Sequence, residues 1–237
     1  MDLSIIIPAY NEADRLPGTL RRIRAYFAQA RPDGAPEIIV VDDGSTDRTA
    51  ELAREADPGI QVIVHPRNLG KGAAVRTGML AARGEWRYMT DADLSVPIEQ
   101  IGNFLALGAD ADIVIASRTI PGAVAHQQQP PWKVVLGRAA NLLVRLVATP
   151  GITDSQCGLK LYAARTMGIF EQQRVTRWGF DIEILFLARK AGWRIRELPV
   201  QWTSDSRSKV KVLDYLRTLS DLATVRLNDW RGLYRRT

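Results

Sequence analysis

The strongest constraint on this chain is a rhythm. From Leu3 to about residue 118, apolar runs rich in β-branched residues alternate with segments of helical periodicity. "LSIIIPAY", "EIIVVDD", "IQVIVH", "EWRYMTD" and "ADIVIASR" read as five strands. Between them, "LPGTLRRIRAYFAQA", "STDRTAELAREA", "GKGAAVRTGMLAAR" and "PIEQIGNFLALG" read as helices. The first strand is apolar without alternation, as suits a strand buried on both faces. This alternation predicts βαβ units, and so an α/β fold with a mostly parallel, Rossmann-like sheet flanked by helices. Ligands of such sheets bind off the carboxyl ends of the strands, near a reversal in strand order. The polar residues just after strands are therefore the candidates: Tyr10-Asn11-Glu12, Asp42-Asp43, Asn68, Asp91 with Asp93, and Ser117-Arg118.

Past residue 118 the rhythm changes. "GAVAHQQQPPW" predicts a long loop able to act as a lid, followed by an amphipathic helix in "WKVVLGRAANLLVRLVA". "GLKLYAA" reads as a strand, "WGFDIEILFLARKAG" as a helix with a Gly stop, and "WRIRELPVQW" as an edge strand broken by Pro199. One domain is expected over 1–209, with a C-terminal amphipathic, basic helical appendage over 210–237.

Composition narrows the partners. A net charge of +6 predicts an anionic one: nucleic acid, a phosphorylated substrate or lipid headgroups. Residues 205–237 hold eight Lys/Arg against four Asp, so most of the excess lies there. One cysteine, Cys157, excludes an intrachain disulfide and suits a reducing compartment. Two distant histidines leave no Cys/His zinc site. The N-terminus lacks a basic n-region, so no signal peptide is expected. No apolar run is long enough to span a bilayer.

Three motifs carry chemistry, each with a plainer reading beside it. "NLGKGAAVRTG" is not a phosphate loop, because Ala73 follows Gly72 where Ser/Thr is needed, and it follows strand three rather than strand one. A tight turn with close helix packing accounts for it equally well. In "VVDDGSTDRT", Ser45 and Asp47 suit helix capping, which leaves Asp42 and Asp43 for a base edge or ribose hydroxyl. In "TDADLS", Asp91 and Asp93 end a strand with hard oxygen donors suited to Mg²⁺, or they are ordinary turn residues.

In order and spacing, "SIIIPAYNEADRL", "EIIVVDDGSTDRT", "NLGKGAAVRTGMLAARGEWRYMTDADLSVP" and Ser117-Arg118 resemble family 2 glycosyltransferases of the GT-A fold. The likeness is greatest to the polyprenyl-phosphate branch, which makes dolichyl-phosphate glucose and mannose. "GITDSQCGLKLY", "RWGFDIEILFLARKAGWRIRELPVQW" and "RSKVKVLDYLRTLSDL" extend it toward the dolichyl-phosphate glucosyltransferases, over nearly the whole chain.

The resemblance implies a function and a site. The reaction would be metal-dependent, inverting transfer of a hexose from a nucleotide sugar to a polyprenyl (dolichyl or undecaprenyl) phosphate. Pro8, Tyr10, Asn11, Glu12, Asp42, Asp43, Lys71, Asp91 and Asp93 would bind the nucleotide sugar. Asp91 and Asp93 would hold Mg²⁺ or Mn²⁺. Arg118, Arg207 and Lys209 would take the acceptor phosphate. Asp93, Arg118, Asp181 and Asp154 are the candidate catalytic residues, although Asp181 could instead pair with Arg177 on its own helix. Mannosyl relatives commonly carry a metal-touching Gln two residues after the second Asp; here it is Ser95, which favours UDP-glucose over GDP-mannose as donor. A phosphate monoester acceptor is already substantially ionised at pH 7, so cationic positioning matters more than a general base.

An enzyme using such a lipid must reach the bilayer. Leu213, Leu216, Leu219, Ala223, Leu227 and Trp230 recur at helical spacing, and Trp230 and Tyr234 lie among arginines. Arg138 and Arg145 flank an apolar face between Trp132 and Val147. Both patterns suit an anionic membrane surface, or core packing with a solvated basic face. The expected location is cytoplasmic and peripherally membrane-associated. Two other readings stay open: a family 2 transferase acting on a saccharide hydroxyl, which would need a carboxylate base, and a basic nucleic-acid-binding module, against which the acidic strand ends argue.

Overall fold

The structure is a computed structural model that describes residues 2–30, 34–126, 137, 141–203 and 212–234. Its order is β1 Leu3–Ala9, α1 Leu16–Ala30, β2 Glu37–Asp42, α2 Thr49–Ala56, β3 Gln61–Val64, α3 Lys71–Ala81, β4 Trp86–Met89, α4 Ile101–Gly108, β5 Ile113–Ser117 and β6 Val124–His126. There follow α5, described over 141–147, then β7 Lys160–Ala163, α6 Gly168–Glu171, α7 Phe180–Lys190, β8 Ile195–Pro199, β9 Gln201–Thr203 and α8 Val212–Trp230. The five strands and four helices expected before residue 118 all form, as does the mostly parallel sheet.

Seven strands pair in the order β3-β2-β1-β4-β7-β5-β8, and β6 pairs with β9 in a separate ribbon. The chain runs outward from β1 to β3 and then returns to β4 on the other side of β1. That reversal opens the crevice at the carboxyl ends of β1 and β4. Ile6 packs into the core beneath α3, α7 and α8, while Ile5 and Ile7 face the core beneath α1 and α4. Burial on both sides is why β1 carries no polar alternation.

One strand breaks the parallel pattern. β7 runs antiparallel between β4 and β5, with Lys160 opposite both Met89 and Ile115. A reversed strand begins where its parallel neighbours end. β7 therefore delivers the segment 154–160 to the carboxyl-end crevice. β8 forms the far edge, and its Pro199 pairs with Ser117, so the expected Pro-broken edge strand is present. Leu222 and Val225 of α8 join the core with Phe186 of α7, and Tyr234 donates to the buried Glu183 at 2.6 Å.

Candidate active site

The loops after β1 and β2 are laced together. Asn11 adopts φ 53°, the left-handed region that asparagine tolerates among non-glycine residues. Its amide donates to Ser45 Oγ at 2.9 Å, and its Oδ1 accepts from the Thr46 amide at 2.9 Å. Glu12 donates its amide to Thr49 Oγ1 at 2.8 Å, and its carboxylate grips Arg15 at 2.6 Å. Pro8 is buried in β1, opposite Val41, whereas Tyr10 stands 40% exposed at the rim. Of the two expected helix caps, Asp47 accepts from the Thr49 amide at 3.0 Å, while Ser45 donates to Asp42 and accepts from Asn11.

Asp42 and Asp43 are both buried. Asp42 Oδ1 accepts from the amide and hydroxyl of Ser45. Asp43 uses both its oxygens: Oδ1 meets His65 Nδ1 at 2.8 Å and the Leu69 amide at 2.9 Å, and Oδ2 takes the Gly70 amide at 2.8 Å. Gly70, with φ 105°, leaves no room for a Cβ against the Thr176 carbonyl. Asp43 and Gly70 thus shape the turn that launches α3 and aims Lys71.

Lys71 joins this turn to the acids after β4. Its Nζ lies 2.6 Å from Asp91 Oδ1 and 5.2 Å from the centroid of the Trp178 ring. Burial lowers the pKa of the ammonium, but Asp91, Asp181 and Asp93 outweigh it and hold the pKa above its ordinary value. Asp93 is exposed, with its Oδ1 accepting the Ser95 amide at 2.9 Å. Leu94 between them takes φ 47°, which turns the backbone within this short motif. Thr19 of α1 pins the turn from behind by donating to the Ala92 carbonyl at 2.5 Å. A Cβ on Gly158 would meet the Asp91 carboxylate, so a larger residue there would displace that side chain where the chain approaches β7.

The reversed strand brings in a group that sequence reasoning missed. Lys160 is fully buried, and its Nζ donates to Asp181 Oδ1 at 2.5 Å and to the Cys157 carbonyl at 2.6 Å. Asp181 therefore pairs with Lys160, not with Arg177. Burial drives its carboxyl upward, and the ammoniums of Lys160 and Lys71 only partly offset this. Burial also pushes the Cys157 thiol up to about 11. A lysine inside the apolar strand "GLKLYAA" was the available signal, since a fully buried lysine needs a partner.

On the other flank, Arg118 and Asp154 form a fork: Nε to Oδ2 at 2.7 Å and Nη2 to Oδ1 at 2.9 Å, with the Arg118 amide on Oδ2 at 3.0 Å. Burial pushes the Asp154 carboxyl up, but Arg118 outweighs it and holds it below its ordinary value. The guanidinium also lies over Trp202, 5.3 Å from the ring centroid. Glu197 of β8, which sequence reading passed over, sets this corner. It accepts from the Thr153 amide at 2.9 Å, the Thr153 hydroxyl at 2.6 Å and the Asp154 amide at 3.1 Å. Nothing in its local pattern separates it from an ordinary edge-strand glutamate. Arg207, Lys209 and the expected domain boundary at 209/210 lie outside the described residues, as do Arg138 and most of the expected lid.

The site is thus a switch-point crevice rimmed by a lysine-paired aspartate and an exposed one, and comparison with known proteins gives its family. Residues 4–168 match the profile "Glycosyl transferase family 2", and the chain belongs to that family. Among its relatives, a dolichyl-phosphate beta-glucosyltransferase of Trichomonas vaginalis is 34% identical, over 98% of this chain and 72% of the relative. That of Homo sapiens is 32% identical, over 98% of this chain and 77% of the relative. Among solved structures, mannosyl-3-phosphoglycerate synthase from Rubrobacter xylanophilus superposes with TM-score 0.72 at 17% identity, covering 100% of this chain and 77% of that one. Glucosyl-3-phosphoglycerate synthase from Mycobacterium tuberculosis, in complex with Mn²⁺, UDP-glucose and phosphoglyceric acid, has TM-score 0.67 at 16% identity, covering 94% and 79%. At these identities the two structures bear on the fold alone.

Proposed function

We propose that this glycosyltransferase moves glucose from UDP-glucose to a dolichyl-type polyprenyl phosphate, with inversion at the anomeric carbon. The observation that carries this reading is the reach of the similarity to dolichyl-phosphate beta-glucosyltransferases. At 98% of the chain it takes in both the donor loops and the Arg118–Asp154 corner.

In this reading the nucleotide lies along the crevice. The braced loops with Pro8, Tyr10, Asn11, Glu12, Asp42 and Asp43 form its cradle, and Lys71 and Asp91 stand at the diphosphate end. Asp91 and Asp93 suit a hard divalent cation. Each is a carboxylate at the crevice mouth, with one oxygen engaged by the chain itself. Among the described residues no group of three or more His, Cys, Asp or Glu side chains gathers. Two carboxylates completed by substrate phosphates are a usual Mg²⁺ arrangement. When bound, such an ion neutralises the diphosphate leaving group.

The chain's own residues do the positioning. Arg118, oriented by Asp154 and through it by Glu197, meets the acceptor phosphate together with Arg207 and Lys209. An acceptor phosphate oxygen forms the new bond to C1 of glucose as the C1–O bond to UDP breaks, with the electron pair leaving on UDP. No proton need be removed from an acceptor already ionised at pH 7. Asp181, held by Lys160, faces the sugar side and orients a hydroxyl there.

For the lipid, peripheral contact with a membrane is the reading. Leu142, Leu143, Leu146 and Val147 of α5 are exposed, Leu146 by 72%. So are Leu227, Trp230 and Leu233 at the end of α8, Trp230 by 86%. No described helix is long and apolar enough to cross a membrane.

The test is a donor panel with polyprenyl phosphate, with and without EDTA. UDP-glucose should yield the lipid product, GDP-mannose little, and EDTA should abolish transfer. Absence of lipid product from every donor would sink the acceptor assignment, and transfer indifferent to EDTA would sink the metal role of Asp93.

A further inference from the structure

A chain of polar side chains runs behind the turn that launches α3. His65 follows β3, is buried, and offers its two ring nitrogens to different partners. Nδ1 lies 2.8 Å from Asp43 Oδ1, and Nε2 lies 3.0 Å from Thr77 Oγ1 on the second turn of α3. The backbone amide of His65 donates to the Asp42 carbonyl at 2.8 Å. The partners fix the tautomer. Asp43 accepts amide hydrogens on both its oxygens, so it accepts from the ring as well, and the proton sits on Nδ1. In the neutral ring Nε2 then accepts from the Thr77 hydroxyl. The loops that carry these groups lie in direct contact. Gly44 has φ 70°, and a Cβ there would collide with the backbone of Arg67.

These bonds close a ring. Asp43 holds the Leu69 and Gly70 amides at 2.9 and 2.8 Å, Gly70 opens α3, α3 carries Thr77, and Thr77 returns to Asp43 through His65. A helix held only at its first turn can pivot about that turn. Held again from its second turn by a planar, rigid imidazole, it cannot. The residue that gains is Lys71, the first of α3, whose Nζ lies 2.6 Å from Asp91 Oδ1. A lysine side chain is rich in rotamers, so where its ammonium ends depends on how its backbone starts. The Thr77 hydroxyl fits this picture. In mid-helix such a group commonly turns back on the carbonyl four residues earlier, whereas here it reaches out to His65.

We propose that His65, seated by Thr77, is a positioning residue for the donor end of the crevice: it acts through Asp43 and the Gly70 turn to hold the Lys71 ammonium on Asp91. This deepens the donor role proposed for Lys71 and rests on that reading only for its kinetic arm. The first test needs neither substrate nor metal. Acetic anhydride labelling of the full chain, read lysine by lysine by mass spectrometry, reports how well each ammonium is held. Lys71, ion-paired and with its side chain 17% exposed, should react slowly in the wild type. His65→Leu removes both ring contacts and should raise Lys71 labelling about threefold, the size expected between members of one hydrogen-bond network. The fully buried Lys160 and Lys190, which is paired with Asp229 at 2.5 Å, are internal controls and should not change. His65→Asn keeps a donor near the place of Nδ1 and should restore most of the protection. Thr77→Val should lose part of it.

The kinetic arm is a double-mutant cycle with farnesyl phosphate as acceptor. His65→Leu should raise the UDP-glucose KM about threefold, and that rise should vanish in a Lys71→Met background, because the effect travels through Lys71. Unchanged Lys71 labelling in all three variants would overturn the assignment. Equal gains at Lys71, Lys160 and Lys190 would overturn it too, since they mean a loosened fold rather than a released side chain. A KM effect of the same size with and without Lys71 would do so as well. Should His65→Leu not fold, His65→Asn and Thr77→Val decide by the same labels: a gain confined to Lys71 in Thr77→Val supports the strut, and no gain in either removes it. If the wild type transfers nothing from UDP-glucose, the functional reading fails by itself, and the labelling still decides His65.

Discussion

Two pairs of aspartates end neighbouring parts of this sheet, and they do opposite work. Asp42 and Asp43 follow β2 and are each 3% exposed. Asp42 Oδ1 is taken by Ser45, and both oxygens of Asp43 are taken by His65, Leu69 and Gly70. Asp91 and Asp93 follow β4. The Asp91 side chain is 34% exposed and Asp93 lies open. In sequence the pairs look alike: two acids at the end of an apolar run. Burial separates them. The first pair spends its charge on the chain's own amides and builds a turn, while the second keeps its charge at the crevice mouth. Lys71 links them, because its turn is shaped by Asp43 and its ammonium ends on Asp91.

Substitutions can break this contrast. Asp93→Ala should have the largest effect, lowering kcat by about 10³-fold, in line with loss of a group that stabilises developing charge. Its melting temperature should stay near wild type, because the side chain is exposed. A large thermal shift there would put Asp93 with the builders. Asp43→Ala should do the reverse. Stranding buried donors costs about 3 kcal/mol, or a drop in Tm of about 10 °C. A thermally silent Asp43→Ala with poor nucleotide binding would erase the contrast.

A smaller effect is expected at the link. Lys71→Met frees Asp91 of an internal cation, so Mn²⁺ affinity read by electron paramagnetic resonance should rise about fivefold, on the order of 1 kcal/mol. Weaker Mn²⁺ binding would mean that Lys71 helps to order the site rather than competing for it.

The subtlest effect is in acid. The folded-state pKa of Asp154 lies below its ordinary value, so the Arg118 pair adds stability above that ordinary value and loses it as pH falls through the lower, folded one. The wild type should therefore exceed Asp154→Asn in stability at neutral pH and converge with it only in strong acid. A gap that persists unchanged below pH 2 would mean packing, not charge, sets the difference.

Much of the first half was legible, because buried parallel strands advertise themselves as unbroken apolar runs. β1 to β5 and the helices between them follow from that pattern and from their Gly, Asp and Ser punctuation. The reversed β7 was not legible. "GLKLYAA" predicts a strand, but nothing local sets its direction, and that direction is what carries Asp154, Gly158 and Lys160 into the crevice. The Lys160–Asp181 pair was missed for a related reason: the partners are 21 residues apart and meet only where α7 packs against β7. Glu197 was invisible because its partners, Thr153 and Asp154, lie on a distant loop.

The order of residues was enough to place acids and glycines at strand ends and to reveal the family, since those features depend on local pattern and spacing. Which acids are spent on the chain's own groups and which stay open at the crevice mouth was decided only by the packed structure. A carboxylate's role depends on the amides and cations around it, and these arrive from five different strand ends.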